Sequence, residues 1–390
     1  MDFLFSKEQE ILKKSIKDYF TGKITPIIGM DKNKEERLWH ERMRKEMANF
    51  GLWSLIRPLE NRASQFSNLD CVIILEELTR MNPVLGMGVM VHNLFTSSII
   101  DIFGSDEQKK SYLDDLASGK KLGTWLPVEG DIILPPDISG IKAERNNDCW
   151  VFNGKEACLY FNSPADLFII KAVTSLGEAG KHVSSFLVER QTEGLQIIKK
   201  EEKKNKKEKI QAIFVFEKAK VPLENMIGSQ GEGSVHMVTV QEKINTSVAG
   251  FLLGIISASL DFGLNYLKRN ELCELCTFNH CFARKRIGEI FSEAEAARLW
   301  TYRAAVLEDK GKGGLIISEA AKKQTANLAI QSTAAIMSII KNCKPNRNCF
   351  KGKNNGDQSL SLTDKRNSNV LKWNTIQNFI CHLCFQTSFL

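Results

Sequence analysis

The sequence lacks three features that would place it in a membrane or in a secretory compartment. No segment approaches the ~18 uninterrupted apolar residues that a membrane-spanning helix needs. The amino-terminal segment has neither the continuous apolar core nor the small-residue cleavage site of a secretory signal. The ten cysteines follow no regular spacing, so reduced thiols are expected. We therefore predict a cytoplasmic protein without a membrane span, or the mature form of a protein of the mitochondrial matrix.

Strong charge of one sign is also missing, because the net charge is only +7 over 390 residues. A hydrophobic content of 43% and a charged content of 25% are typical of a globular protein with two or three domains. Part of the positive excess comes from the run KKEEKKNKKEK at residues 199–209, which is typical of a solvated loop. A phosphate-binding patch is the alternative, but no aromatic residues interleave with the run, so no nucleic-acid partner is predicted.

Two C-x-x-C pairs raise the question of a zinc site. They are about a hundred residues apart, which is far outside the spacing of a compact zinc finger. We therefore predict no metal, and a zinc-binding or nucleic-acid-binding module is the alternative that these pairs leave open. The pairs are Cys273 with Cys276 and Cys381 with Cys384, and the nearby candidate ligands are His280, Cys281 and His382.

The first part of the chain, residues 1–122, has the pattern of a helical domain. Ser6 followed by Gln9 predicts a capped amphipathic helix at the start. Residues 71–81 and 88–103 are apolar nearly all round, as expected of helices that are buried on most sides. Ser105 then opens a further helix with acidic residues in its first turn.

The middle and last parts are patterned differently. Residues 123–228 contain short runs rich in β-branched and aromatic residues, separated by Gly, Asn and Lys turns, which predicts a small β-domain. Residues 229–340 contain three long helical stretches, which predict an antiparallel bundle. Residues 341–390 are Asn- and Lys-rich and aperiodic, so we expect an aberrant or disordered tail. The three predicted bundle helices are residues 238–269, 282–309 and 314–340.

Four strings lie at or near the joints between these parts. FGSDEQKKSYLDDLASGKKLGTW at residues 103–125 leads into the β-domain, and VFEKAKVPLENMIGSQGEG at residues 215–233 leads out of it. EELTR at residues 76–80 and SGIKAERNNDCWVFNGKEACLYFN at residues 139–162 are the other two. Taken in order, over roughly residues 1–340, they resemble the sequences of the acyl-CoA dehydrogenase family.

The resemblance implies a fold and an activity. The fold is α+β, with an N-terminal helical domain, a middle small β-domain and a C-terminal antiparallel helical bundle. The activity is FAD-dependent α,β-dehydrogenation of an acyl-CoA thioester, with an electron-transfer flavoprotein as acceptor and a homo-oligomer, dimer or tetramer, as the assembly. The alternative is a catalytically inactive family member that serves as a structural or accessory subunit.

The resemblance also assigns cofactor contacts, several of them altered. In the loop T-E-P-x-A-G-S-D, Val128 replaces the threonine, Glu129 is kept, and Pro135-Pro136 replaces Gly-Ser, so two backbone N–H donors to a phosphate are lost. This substitution leaves open whether the loop is re-shaped around flavin or no longer grips it. Arg269 matches the arginine for the flavin pyrophosphate, although an exposed arginine ending a helix is the alternative. The predicted cofactor-binding residues are Leu126, Val128, Glu129, Phe161, Asn162, Arg269 and His280.

Substrate contacts and the catalytic base are the least complete part of the resemblance. Glu242 and Asn245 match the substrate-contacting positions, and Glu242 is a weak candidate for the base. The position of the base in isovaleryl-type members is occupied by Ile244, which cannot accept a proton. The C-terminal E-G-T segment of other members is missing, and Lys341-Asn342 stands at the two glycines of the Q-x-x-G-G contact. A shifted reading frame or a missed splice past residue 340 is our hypothesis for this loss.

Overall fold

The computed structural model describes residues 6–28, 36–56, 66–126, 140–158, 165–177, 180–204, 207–269 and 277–342. The amino-terminal part is helical and includes two π-helical stretches, Phe20–Ile24 and Val91–Ser97. Its α-helices are α1 (Lys7–Tyr19), α2 (Thr25–Ile28), α3 (Glu36–Phe50), α4 (Asn68–Met81), α5 (Pro83–Met90), α6 (Ser98–Phe103) and α7 (Asp106–Ala117).

The helix starts follow the local chemistry of the sequence. The Ser6 hydroxyl accepts a hydrogen bond from the backbone N–H of Gln9, and the Gln9 side-chain oxygen accepts one from the backbone N–H of Ser6. This is the predicted capping box. Ser105 and Gln108 repeat this arrangement at the start of α7. Helix α4 is buried at nearly every position from Leu69 to Thr79, as its all-round apolar pattern predicts.

The middle part is one eight-stranded mixed sheet with the strand order β6-β7-β3-β2-β4-β5-β8, and β1 pairs with β4 beside this path. Strands β1 and β2 both run parallel to β4, whereas the other pairs are antiparallel. The strands are β1 (Gly123–Trp125), β2 (Ile141–Asn146), β3 (Cys149–Cys158), β4 (Leu167–Gly177), β5 (Gly180–Glu189), β6 (Leu195–Lys204), β7 (Lys207–Pro222) and β8 (Met226–Ile227).

The prediction of a solvated loop at residues 199–209 is wrong. Strand β6 continues to Lys204 and β7 begins at Lys207, and the two strands stay paired from Leu195 opposite Phe216 to Lys204 opposite Lys207. The register is unbroken along the hairpin because cross-strand hydrogen bonds do not depend on which side chains the strands carry. The charge-rich composition therefore does not distinguish a loop from a regular β-hairpin at these residues.

The last part consists of α8 (Gly233–Lys243), α9 (Asn245–Arg269), α10 (Thr277–Asp309) and α11 (Leu315–Asn342). The single helix predicted over residues 238–269 is wrong, because Ile244 has a non-helical backbone and separates α8 from α9. Helices α9, α10 and α11 pack against one another, and α9 and α10 also pack against α4. The predicted fold class is confirmed: helices, then a sheet, then a helical bundle. The domain boundaries stay a prediction, and the predicted tail from residue 343 onward lies outside the described residues.

Two helical stretches, Pro83–Phe103 and Asn245–Lys268, are long and apolar enough to span a membrane by length and composition. However, 67% and 83% of their apolar windows are buried inside the protein. Burial of this kind is what the core helices of a globular protein show.

Candidate functional site

Strand β1 joins the helical part to the sheet and points its side chains in two directions. It pairs in parallel with β4, with Gly123 opposite Leu167 and Trp125 opposite Ile169. Successive side chains of a strand face opposite sides. Accordingly, Trp125 belongs to the core shared with the helices, whereas Leu126 belongs to the core of the sheet.

The sheet edge that carries β1 also carries β2. The backbone N–H of Leu126 donates to the carbonyl of Ile169 on β4, at 3.1 Å. Further along the same strand, Lys142 of β2 pairs in parallel with Val173. The two ends of residues 127–139, which hold most of the predicted flavin loop, are therefore both anchored on β4.

A buried histidine fixes β1 against the helices. The backbone N–H of Gly123 donates to His92 Nδ1 at 3.0 Å, so Nδ1 must be the unprotonated nitrogen. Nε2 then carries the proton and donates to the carbonyl of Leu116 at 3.2 Å. Burial lowers the pKa of His92 to about 4, although hydrogen bonds to the backbone oppose this shift. His92 is therefore a neutral spacer that holds the strand in place, in the π-helical stretch that packs on β1.

Trp125 and Phe95 form a buried aromatic pair beside His92, and they are 9% and 2% exposed. Their rings are stacked, with centroids 5.2 Å apart and an interplanar angle of 8°. The indole Nε1 of Trp125 is buried and has no hydrogen-bond partner within the described residues. A buried N–H without a partner costs about 1–3 kcal/mol, so the site favours a ligand that offers an acceptor. Sequence reasoning missed both residues, and the aromatic at the end of the string GTW was the available signal.

A cavity of about 550 Å³ lies between the amino-terminal helices and the bundle. Its volume is within the usual range for a small-molecule site. Apolar side chains line much of it, including Leu94, Ile102 and Ile244. Leu94 is the residue before Phe95, so the cavity wall and the aromatic pair share the π-helical stretch Val91–Ser97.

Glu308 supplies a carboxyl group to the wall of this cavity. Its Oε2 accepts a hydrogen bond from Thr246 Oγ1 at 2.7 Å, which joins the end of α10 to the first turn of α9. Burial raises the pKa of Glu308, the Thr246 hydrogen bond opposes this rise, and the charge of Asp309 adds to it. Sequence reasoning missed Glu308, because the sixty-odd residues that separate it from Thr246 in the chain carry no pattern that predicts their contact.

Asn245 lies beside the same wall. It is 2% exposed, and its Nδ2 donates to Oγ of Ser318, which lines the cavity, at 3.5 Å. Its Oδ1 has no hydrogen-bond partner in the part of the chain that the structure describes. The start of α9 therefore holds a carboxylate in the cavity wall through Thr246, and it places the buried amide of Asn245 next to a residue of that wall.

A buried ion pair ties the amino-terminal helices to the bundle next to this site. Arg298 Nε on α10 donates to Glu76 Oε1 on α4 at 2.8 Å, and Glu76 is 2% exposed. Tyr302 donates to the other oxygen of Glu76, and Arg298 Nη2 donates to Ser257 Oγ on α9 at 3.0 Å. Burial alone would lower the pKa of Arg298, but Glu76 outweighs it and raises that pKa. The network thus fixes the relative position of three helices.

Comparisons with known proteins agree with this architecture. Residues 6–120 match the family model described as acyl-CoA dehydrogenase, N-terminal domain. The short-chain specific acyl-CoA dehydrogenase of Clostridium acetobutylicum is 26% identical over 340 residues, which cover 87% of this chain and 89% of that protein. The mitochondrial short-chain specific acyl-CoA dehydrogenase of Sus scrofa is 28% identical over 320 residues, which cover 82% and 77%. The chain is therefore similar to acyl-CoA dehydrogenases over most of its length.

A solved structure has the same fold as this chain. Butyryl-CoA dehydrogenase from Megasphaera elsdenii superposes with a TM-score of 0.70 at 20% identity, covering 100% of this chain and 96% of that one. The likeness in fold thus extends over all three parts of the chain, beyond the amino-terminal part that the family model matches.

The site residues that the family resemblance assigns are described to different extents. Leu126 is 2% exposed in the core of the sheet, and Asn245 lies beside the cavity. Glu242, Arg269 and His280 fall within α8, α9 and α10, but their side chains lie outside the described residues. The other assigned residues lie wholly outside the described residues, and they are Val128, Glu129, Phe161 and Asn162. The roles of all these residues stay predictions.

Proposed function

We propose that this protein is a member of the acyl-CoA dehydrogenase family, an FAD-dependent oxidoreductase that removes hydrogen from the α- and β-carbons of an acyl-CoA thioester. The observation that supports this most is the cavity between the amino-terminal helices and the bundle, whose wall includes Leu94, the neighbour of Phe95 in the chain. The indole of Trp125, which stacks on Phe95, carries a buried N–H without a partner within the described residues. The named relatives in Clostridium acetobutylicum and Sus scrofa are acyl-CoA dehydrogenases, which supports the same reaction class.

The described residues fit a flavin. The unpartnered Nε1–H of Trp125 requires an acceptor, and the edge of an isoalloxazine ring offers carbonyl oxygens and ring nitrogens. Stacking on the buried ring of Phe95 fixes the orientation of the indole that carries this N–H. When bound, FAD supplies the acceptor for the hydride that leaves the β-carbon. Arg269 is the residue that we propose for its pyrophosphate, since a guanidinium forms charge-assisted hydrogen bonds with phosphate oxygens.

The cavity wall supplies the groups that an acyl thioester requires. Leu94, Ile102 and Ile244 give an apolar surface for the acyl chain, and water is excluded where they pack against it. Lys243, which also lines the cavity, offers a positive charge for a negatively charged part of the substrate. The side chains therefore separate an apolar region from a polar one within the same space.

The proposal includes partners and a location. We propose an electron-transfer flavoprotein as the acceptor that reoxidises the flavin, and a homo-oligomer, a dimer or a tetramer, as the assembly. The location is the cytoplasm or the mitochondrial matrix. Light scattering on the purified protein measures the assembly, and a mass equal to that of one chain would contradict it.

A flavin spectrum tests the proposed function directly. The full chain is purified, its bound flavin is released and measured, and acyl-CoAs of increasing chain length, including butyryl-CoA, are added without oxygen. We expect near-stoichiometric FAD and loss of the oxidised-flavin absorbance with at least one of them. Free CoA is the matched control, because it has the same nucleotide and pantetheine but no acyl group. Colourless protein that takes up no added FAD would contradict the proposal.

A further inference from the structure

We propose that Glu308 is the base that removes the α-proton of the acyl thioester, an inference that rests on the function proposed above. Glu308 lies in the wall of the cavity that we assign to the substrate. The family resemblance does not assign a role to Glu308, and its place at the end of a bundle helix does not by itself indicate one.

The geometry of Glu308 is that of a positioned acid–base group. Thr246 Oγ1 holds Oε2 at 2.7 Å, so the carboxyl group has a fixed orientation at the end of α10. Among the residues that the structure describes, Thr246 contacts only Oε2, which leaves Oε1 for another partner. A general base must be held within hydrogen-bond reach of the proton it takes, and this arrangement supplies a fixed carboxylate on the cavity side.

The surroundings of Glu308 favour proton uptake over permanent ionisation. The carboxyl group is half-buried, and a neighbouring carboxylate, Asp309, opposes its negative charge. Both effects raise the pKa of Glu308. A carboxylate that is costly to keep ionised is a stronger proton acceptor than an exposed one.

The neighbours of Glu308 point to a thioester and not to a simple cation. Ile244 and Leu315 line the same cavity, so the carboxyl group faces apolar surface as well as water. Lys243 also lines this cavity, and its positive charge disfavours a metal ion there.

The proposed reaction takes one proton and one hydride from the acyl thioester. The bond between the α-carbon and its proton breaks, and the proton forms a new O–H bond with the Glu308 carboxylate, which becomes a neutral carboxylic acid. The electron pair left on the α-carbon forms the carbon–carbon double bond. The β-hydrogen leaves with its electron pair and reduces the oxidised flavin of the proposed function.

Deuterium exchange tests the proton step separately from the redox step. The flavin is first reduced chemically, which blocks hydride removal, and butyryl-CoA is then incubated with the protein in deuterated buffer. Deuterium at the α-carbon is followed by mass spectrometry for wild type, E308Q, E308D and E293Q. Glu293 lies exposed on the same helix, so E293Q is the matched control. Flavin content and far-UV circular dichroism are measured for each variant.

We expect E308Q to keep its flavin and helical content but to exchange on the order of 10²- to 10⁴-fold more slowly, as loss of a general base implies. E308D should retain part of the exchange, and E293Q should match wild type. Exchange by E308Q within about twofold of wild type would overturn the role of Glu308 and leave the proposed function standing. Colourless wild type that still exchanges through Glu308 would overturn the flavin function alone. Wild type that neither exchanges nor bleaches with any acyl-CoA would overturn both.

Discussion

The ion pair between Arg298 and Glu76 should be a main contributor to the docking of α4 on the bundle. In R298M the side-chain stem is kept, so the packing volume changes little, but the guanidinium that contacts Glu76, Ser257 and Glu295 is lost. Glu76 is 2% exposed and would keep Tyr302 as its hydrogen-bond donor. A buried charge left without its counter-charge costs about 3–5 kcal/mol.

A second arginine on the same helix separates the effect of breaking the buried ion pair from the effect of losing any arginine. Arg286 lies on the same helix and pairs with Glu289 at 2.9 Å, but both side chains are at least one-third exposed. An exposed pair of this kind contributes roughly 0–1 kcal/mol. We therefore expect R298M to be less stable than R286M by about 2–5 kcal/mol, since the two substitutions differ mainly in burial.

Urea unfolding followed by circular dichroism measures both variants against wild type. We expect a clear fall in the midpoint for R298M, a small change for R286M, and partial recovery in the double variant E76L/R298M, which removes both charges. Equal midpoints for R298M and R286M would refute the argument that burial gives this pair its effect.

Three further predictions concern single side chains. Burial lowers the pKa of His92 to about 4, so neutral His92 stabilises the fold above pH ~6.5. Up to about 3 kcal/mol of this stability is lost as the pH falls towards 4. H92Q does not titrate in this range, so it should lose correspondingly less stability in acid-unfolding curves. Trp125→Phe removes the unpartnered donor, so FAD should bind more weakly in a fluorescence titration, and unchanged affinity would contradict the proposed contact. Gly254→Ala would place a methyl group 2.5 Å from the carbonyl oxygen of Glu76 and should lower the free energy of unfolding by about 1–3 kcal/mol. Gly288→Ala on α10 is the control, because nothing lies within 4 Å of the added methyl group, and it should raise stability slightly. Thermal unfolding of both variants measures the difference.

The sequence predicts the local structure of this protein well, because caps and periodicity act over a few residues. The capping pairs Ser6 with Gln9 and Ser105 with Gln108 are both present, and α9, α10 and α11 are the three long helices expected of the bundle. The break at Ile244 was missed because its neighbours are helix-compatible residues, and only packing decides the backbone there.

The candidate site was predicted less well, because its groups come together only in the fold. Thr246 and Glu308 lie on different helices, as do Glu76 and Arg298, and nothing in either local sequence specifies the partner. The parallel pairing of β1 and β2 with β4 also depends on long-range register. Family resemblance pointed to Asn245, but it did not point to Trp125 or Glu308.

The placing of β1 and β2 on the same edge of β4 has a consequence for how such a chain diverges. Ile169 and Val173 hold the two flanks of residues 127–139 four residues apart on one strand, which is about 13 Å. The ladder on each flank forms independently of what lies between them. Insertions, deletions and proline substitutions in that interval can therefore accumulate while the scaffold still folds, so this lineage can lose or exchange ligand contacts well before it loses its architecture.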